Sequence, residues 1–184
     1  GSCVNTLPSG SFFSGISEQV LSVNGGPPSS GGVRQTRSVI TDDWGTFSII
    51  DDDSFFKLFR TDRLGSSSFL FNLDDFIPLL SLPARVNASD VRVVHPAIAR
   101  GERIHLVFTV LDEQSEKSTI FYTSCPQNSD CASAAAWTAP FALLDPAVDV
   151  SDGGWRHSYD YPLISVRPDD ISSVVFSDGE TDRA

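Results

Sequence analysis

From residue 37 onward the apolar positions fall into short runs separated by turn chemistry, which predicts strands rather than long amphipathic helices. Segments 45–50, 55–60 and 68–72 read as three antiparallel strands, preceded by a short apolar pair, Val39-Ile40. The acidic stretch 51–54 and the polar stretch 61–66 supply the turns between them. Helix signals are confined to single turns at 74–80 and 132–136. Residues 1–36 form a loop-rich segment with one short strand expected at 18–24, because the Gly/Pro/Ser run at 25–32 suits neither helix nor central strand.

The meander then recurs. Strands are expected at 96–99, 103–110 and 118–123, with a turn at 100–102 and a polar loop at 112–117. The segment 122–140, with Cys125, Cys131 and Trp137, and the apolar run 141–144 follow. A third unit begins at 161–165, turns at 167–170 and returns at 171–176. Aligning Phe59, Phe108 and Phe176 spaces the units by 108 − 59 = 49 and 176 − 108 = 68, with the loop 145–160 in the longer interval. Small meanders at such spacing predict an all-β fold of propeller-type blades, about 37–90, 91–155 and an incomplete 156–184. A β-sandwich is the alternative, since it also uses short strands at regular spacing. About two and a half blades cannot close a ring, so the remaining blades are expected from a longer protein or from other copies of the chain. A strand at 20–23 is a further candidate to complete the last blade.

The net charge of −11 disfavours nucleic acid as a partner, because phosphate recognition needs a basic face. No apolar run is long enough for a transmembrane helix. Cys125 and Cys131, six positions apart, are placed to close a small loop as a disulfide, which would imply an extracellular or cell-surface setting. Two free thiols are the alternative. Trp137, just after the loop, is placed to fill the gap between two sheets. Cys3 is left as a lipidation site, an interchain partner or a buried inert thiol.

The unit running from His95-Pro96 through Ile104-His105-Leu106, Tyr122, Cys125, Cys131 and Trp137 to Pro140 resembles a blade of the bacterial sialidase-like (BNR, or Asp-box) propellers. Residues 95–145 match that pattern well, 161–178 in part and 45–80 loosely. Thr41-Asp42-Asp43-Trp44-Gly45-Thr46-Phe47 is similar to the Asp-box, with its aromatic one place early, and 151–155 holds a fragment of it. The resemblance implies a structural hairpin at those positions. Catalytic members open an arginine triad with Phe/Tyr-Arg-Ile-Pro and use a Tyr–Glu nucleophile pair. Here Leu58-Phe59-Arg60-Thr61 lacks the proline, and no Glu is placed beside a Tyr in that manner.

The expected function is therefore a non-catalytic surface or extracellular module, for recognition of a glycan or protein or for structural assembly. A sialidase-like glycoside hydrolase and a self-assembling fibre or sheath subunit are the alternatives. Trp155, Arg156, His157, Tyr159, Asp160 and Tyr161 form the candidate ligand site, because aromatic faces stack on sugar rings while Arg and Asp bond hydroxyls or carboxylates. Packing between neighbouring blades is the competing role for Trp155 and Tyr161. No cofactor is expected beyond calcium, for which Asp51, Asp52 and Asp53 supply hard oxygen ligands, a solvated turn being the alternative. His105 alternates with Ile104 and Leu106 and should face away from them. Asn87-Ala88-Ser89 is an N-glycosylation sequon.

Overall fold

The structure, a computed structural model, describes residues 36–42, 45–52, 55–62, 64–126, 130–144, 154–155 and 158–178. The expected strand at 18–24, the loop at 25–32, Cys3, Asp53, Arg156 and His157 lie outside the described residues. Among the described residues the fold is all-β, built from three antiparallel sheets, with neither a closed barrel nor a propeller.

The first sheet runs in the order β1 (Thr36–Asp42), β2 (Gly45–Asp51), β3 (Phe56–Asp62), β4 (Ser67–Asn72). The second repeats that order with β5 (Val91–Arg100), β6 (Arg103–Asp112), β7 (Lys117–Pro126) and the short β8 (Phe141–Ala142). A two-stranded hairpin, β9 (Tyr159–Val166) and β10 (Ser172–Asp178), is the third. A 3-10 helix, Leu73–Leu79, leads out of the first sheet, and a single 3-10 turn, Ala134–Ala136, follows the cysteine loop.

The second sheet is covered on both faces. Ile104, Leu106, Phe108 and Val110 of β6 pack in one core with Phe47, Leu58 and Phe71 of the first sheet. Val107, facing the other way, joins Ala97 and Ile120 against Tyr159, Ile164, Val174 and Phe176 of the hairpin. Along 103–110 one face is apolar throughout, Ile104, Leu106, Phe108 and Val110, while the other sets Val107 among Arg103, His105 and Thr109, so the second interface mixes apolar packing with polar contacts. Phe76, in the 3-10 helix, stacks on Phe108 at 5.5 Å between ring centroids. Trp137 sits edge-on to Phe71 and Phe76 at 6.3 and 5.9 Å, 4% exposed, filling the gap between the first two sheets.

Two expectations are corrected. β5 starts at Val91 instead of Pro96, because the chain stays in the ladder on both sides of the proline. Val94 pairs with Thr109 and Ala97 with Val107, so two residues, His95 and Pro96, oppose one. β5 is the edge strand of its sheet, and an edge strand with a bulge is where a ladder tolerates proline. The alignment of the three phenylalanines also shifts: Phe108 and Phe176 both lie on the second strand of their units and face the preceding sheet. Phe59 is on the third strand, outside both cores, so the interval of 49 does not measure a repeat.

Candidate functional site

Besides the Ser118 hydroxyl, which donates to the Tyr159 carbonyl at 2.9 Å, the hairpin β9–β10 is held on the second sheet by two polar joints, each pairing a histidine of the sheet with an aspartate of the hairpin. The first grows from a repeated backbone feature. Asp160 pairs with Ser177 and Leu163 with Val175, so Tyr161 and Pro162 form a bulge like that of His95 and Pro96. His95 and Tyr161 both adopt positive φ, 45° and 50°, which non-glycine residues take up at a cost of roughly 1–2 kcal/mol each. The two bulges meet. The rings of His95 and Tyr161 stack with centroids 4.0 Å apart, and His95 Nδ1 lies 2.5 Å from Asp160 Oδ1. A carboxylate only accepts, so Nδ1 carries the proton. The same oxygen accepts from the Tyr161 backbone N–H at 2.9 Å. One face of the Tyr161 ring is thereby committed to His95, while the residue as a whole stays 60% exposed.

The second joint lies at the end where β5 turns into β6. Asp170 Oδ1 accepts from the backbone N–H groups of Glu102 (2.6 Å) and Arg103 (3.3 Å) and from His105 Nε2 (3.0 Å). His105 is buried, faces away from Ile104 and Leu106, and its Nδ1 lies 2.7 Å from the Tyr122 hydroxyl. Nε2 donates to the carboxylate, and the ring's other nitrogen meets the tyrosine hydroxyl, so both nitrogens are engaged. Desolvation pushes the Asp170 carboxyl up, but the His105 bond and the two backbone donors outweigh it and hold the group below its ordinary range. Gly101 makes this approach possible, since a Cβ there would stand 2.1 Å from Asp170 Oδ1. Asp170 itself adopts φ 62°.

The structure distributes the sequence candidates between these joints and the core. Asp160 and Tyr161 belong to the first joint. Tyr159 packs edge-on to Phe176 at 5.5 Å on the inner face of the hairpin. Trp155 is 4% exposed within the larger core, so its ring is given to packing, the competing role named for it. Its indole N–H has no hydrogen-bond partner among the described residues. Asp52 is paired with Lys57, and Asp51 ends β2. Among the described residues no three His, Cys, Asp or Glu side chains converge as a metal site. Cys125 and Cys131 form a disulfide, buried beside Trp137, whose indole N–H donates to the Cys131 carbonyl at 3.3 Å.

Neither His95 nor His105 is among the candidate ligand residues that the sequence offers. The available signal was the repeated unit His95-Pro96-Ala97-Ile98 and Tyr161-Pro162-Leu163-Ile164, with Asp160 just before the second copy.

The outer face of the hairpin differs from its inner one. Leu163 and Val175, direct cross-strand partners, are 70% and 68% exposed, flanked by Tyr161 and, at the turn, Ile171 at 52%. Ser165 and Ser173 form the next exposed pair. No helix among the described residues is long and apolar enough to cross a membrane. No family model, curated protein or solved structure matches this chain.

Proposed function

We propose that the protein is a non-catalytic, propeller-type assembly module that works outside the cell and offers the outer face of β9–β10 to a second copy of itself. The carrying observation is the exposed apolar row of Leu163, Val175, Ile171 and Tyr161 on a sheet whose other face is already packed. Net charge opposes a like partner, but the face itself adds nothing to that repulsion. The chain carries −11, yet the face holds only apolar and serine side chains between its ends, so two copies meet there without burying a carboxylate. A two-fold axis through the Leu163–Val175 pair lays the same patch on itself, as an isologous interface requires. The buried disulfide supports an oxidising compartment.

The test is native mass by light scattering across a concentration series, for the wild type and for Leu163→Asp and Val175→Asp. A dimer that both substitutions convert to monomer supports the reading. A wild type that stays monomeric at high concentration contradicts it. Turnover of a fluorogenic sialoside or another glycoside, abolished by Tyr161→Phe, would favour the hydrolase instead.

A further inference from the structure

The chain has five asparagines, at 5, 24, 72, 87 and 128, and only Asn87 is followed by the pattern x-Ser/Thr, as Asn87-Ala88-Ser89. The structure places this tripeptide where a large substituent meets no core. Asn87, Ala88 and Ser89 are all exposed, between two buried anchors, Val86 at 6% and Val91 at 7%. The Asp90 backbone N–H donates to the Asn87 carbonyl at 3.0 Å, closing a turn that points the segment into solvent. Asn87 Nδ2 donates to Asp90 Oδ2 at 3.0 Å, an exposed bond, and the Ser89 hydroxyl donates to Asp90 Oδ1 at 3.2 Å. Neither bond ties the acceptor nitrogen or the hydroxyl to the interior. Asp90 is held independently, by Gln114 Nε2 at 2.7 Å and by the Glu113 N–H on its carbonyl at 2.9 Å. The turn therefore keeps its anchor when Nδ2 is modified.

We infer that Asn87 is an N-glycosylation site, a proposal that rests on the extracellular reading above. The co-reactant is a polyprenyl-pyrophosphate-linked oligosaccharide, presented by the membrane-bound transferase of a secretory pathway. A bond forms between Asn87 Nδ2 and C1 of the first sugar. The bond from C1 to the pyrophosphate oxygen breaks, its electron pair leaves with the pyrophosphate, and one Nδ2 proton passes to a base of the transferase. No oxidant or reductant is involved. The sugar then stands beside the β6–β7 turn, where Asp112 pairs with Lys117. The joint formed by Asp170 lies at the other end of the sheet, where Arg103 pairs with Pro126. The glycan thus adds a solvated, bulky group at the end opposite the Asp170 joint, on the turn whose Glu116 carbonyl accepts from the Ser158 hydroxyl at 3.3 Å.

The experiment expresses the full chain behind a cleavable secretory leader in glycosylating eukaryotic cells. It measures intact mass before and after a peptide-N-glycosidase, together with thiol alkylation of Cys125 and Cys131. Expected are a mass increase removed by the glycosidase, conversion of Asn87 to Asp, loss of the increase in Asn87→Gln and Ser89→Ala, and its retention in Ser89→Thr. A secreted protein with a closed disulfide and no sugar on Asn87 overturns the inference and leaves the extracellular reading standing. A chain retained in the cell with free thiols and no sugar overturns both.

Discussion

His95 and Tyr161 stack on one another at 4.0 Å, and each stands at positive φ immediately before a proline, in a bulge of the first strand of its own hairpin. Two bulges with one backbone signature, brought face to face, fix how the third sheet seats on the second. Strain at the two residues persists because stacking and the His95–Asp160 bond over-determine the conformation. His95→Ala and Tyr161→Ala should each destabilise the fold. The double variant should fall short of their sum by about 1 kcal/mol, the worth of one aromatic pair with a polar contact. Urea unfolding of the four proteins measures that coupling.

At the other joint, Gly101 and Asp170 are equally dependent on one another. Gly101→Ala drives a methyl into the carboxylate and should cost about 1–3 kcal/mol, the penalty of displacing a bonded charge. Asp170→Ala leaves His105 Nε2 and two backbone donors without that acceptor and should cost a similar amount. Combining them should be little worse than either alone, because the methyl then meets no carboxylate. Thermal unfolding midpoints of the three variants check this.

Two aspartates should respond to acid with opposite sign. The Asp170 carboxyl is held below 3.8, so its contribution is present above that value and is lost as pH falls through its folded-state pKa. Asp74 is raised above 3.8, first by desolvation, although its Oδ1 accepts from the Val93 N–H at 2.8 Å. Its ionisation therefore costs stability as pH rises from 3.8 through its folded-state pKa. Asp74→Asn keeps an acceptor for Val93 without the charge. It should raise the unfolding midpoint at pH 7, with the gain shrinking as the medium is acidified. Asp170→Asn should lower the midpoint at pH 7 and converge on the wild type in strong acid. Calorimetry across pH separates the two.

The Cys125–Cys131 bridge spans six positions, so its removal should be moderate in effect. Loop closure of that length is worth about 2 kcal/mol. Reduction, or Cys125→Ala with Cys131→Ala, should lower stability by that amount while Trp137 stays buried, which the fluorescence maximum reports in a background of Trp44→Phe and Trp155→Phe.

The strands were legible because turn chemistry and short apolar runs are local signals: 103–110 and 118–123 lie within β6 and β7. The facing of His105 followed from strand periodicity, and its bond to Asp170 fits that direction. The partnership itself was not legible, since His95–Asp160 and His105–Asp170 each join residues 65 positions apart, across a sheet interface. The start of β5 was hidden for a related reason: Pro96 reads as a strand boundary unless a bulge accommodates it. Trp155 shows the converse, because an indole suited to stacking on a sugar is equally suited to a core.

The outer face of β9–β10 carries the functional claim, and the native mass of the wild type and of Leu163→Asp tests it most directly. The account predicts a dimer that becomes a monomer in the variant, with both joints still folded. A monomeric wild type at high concentration, indistinguishable from the variant, would contradict it.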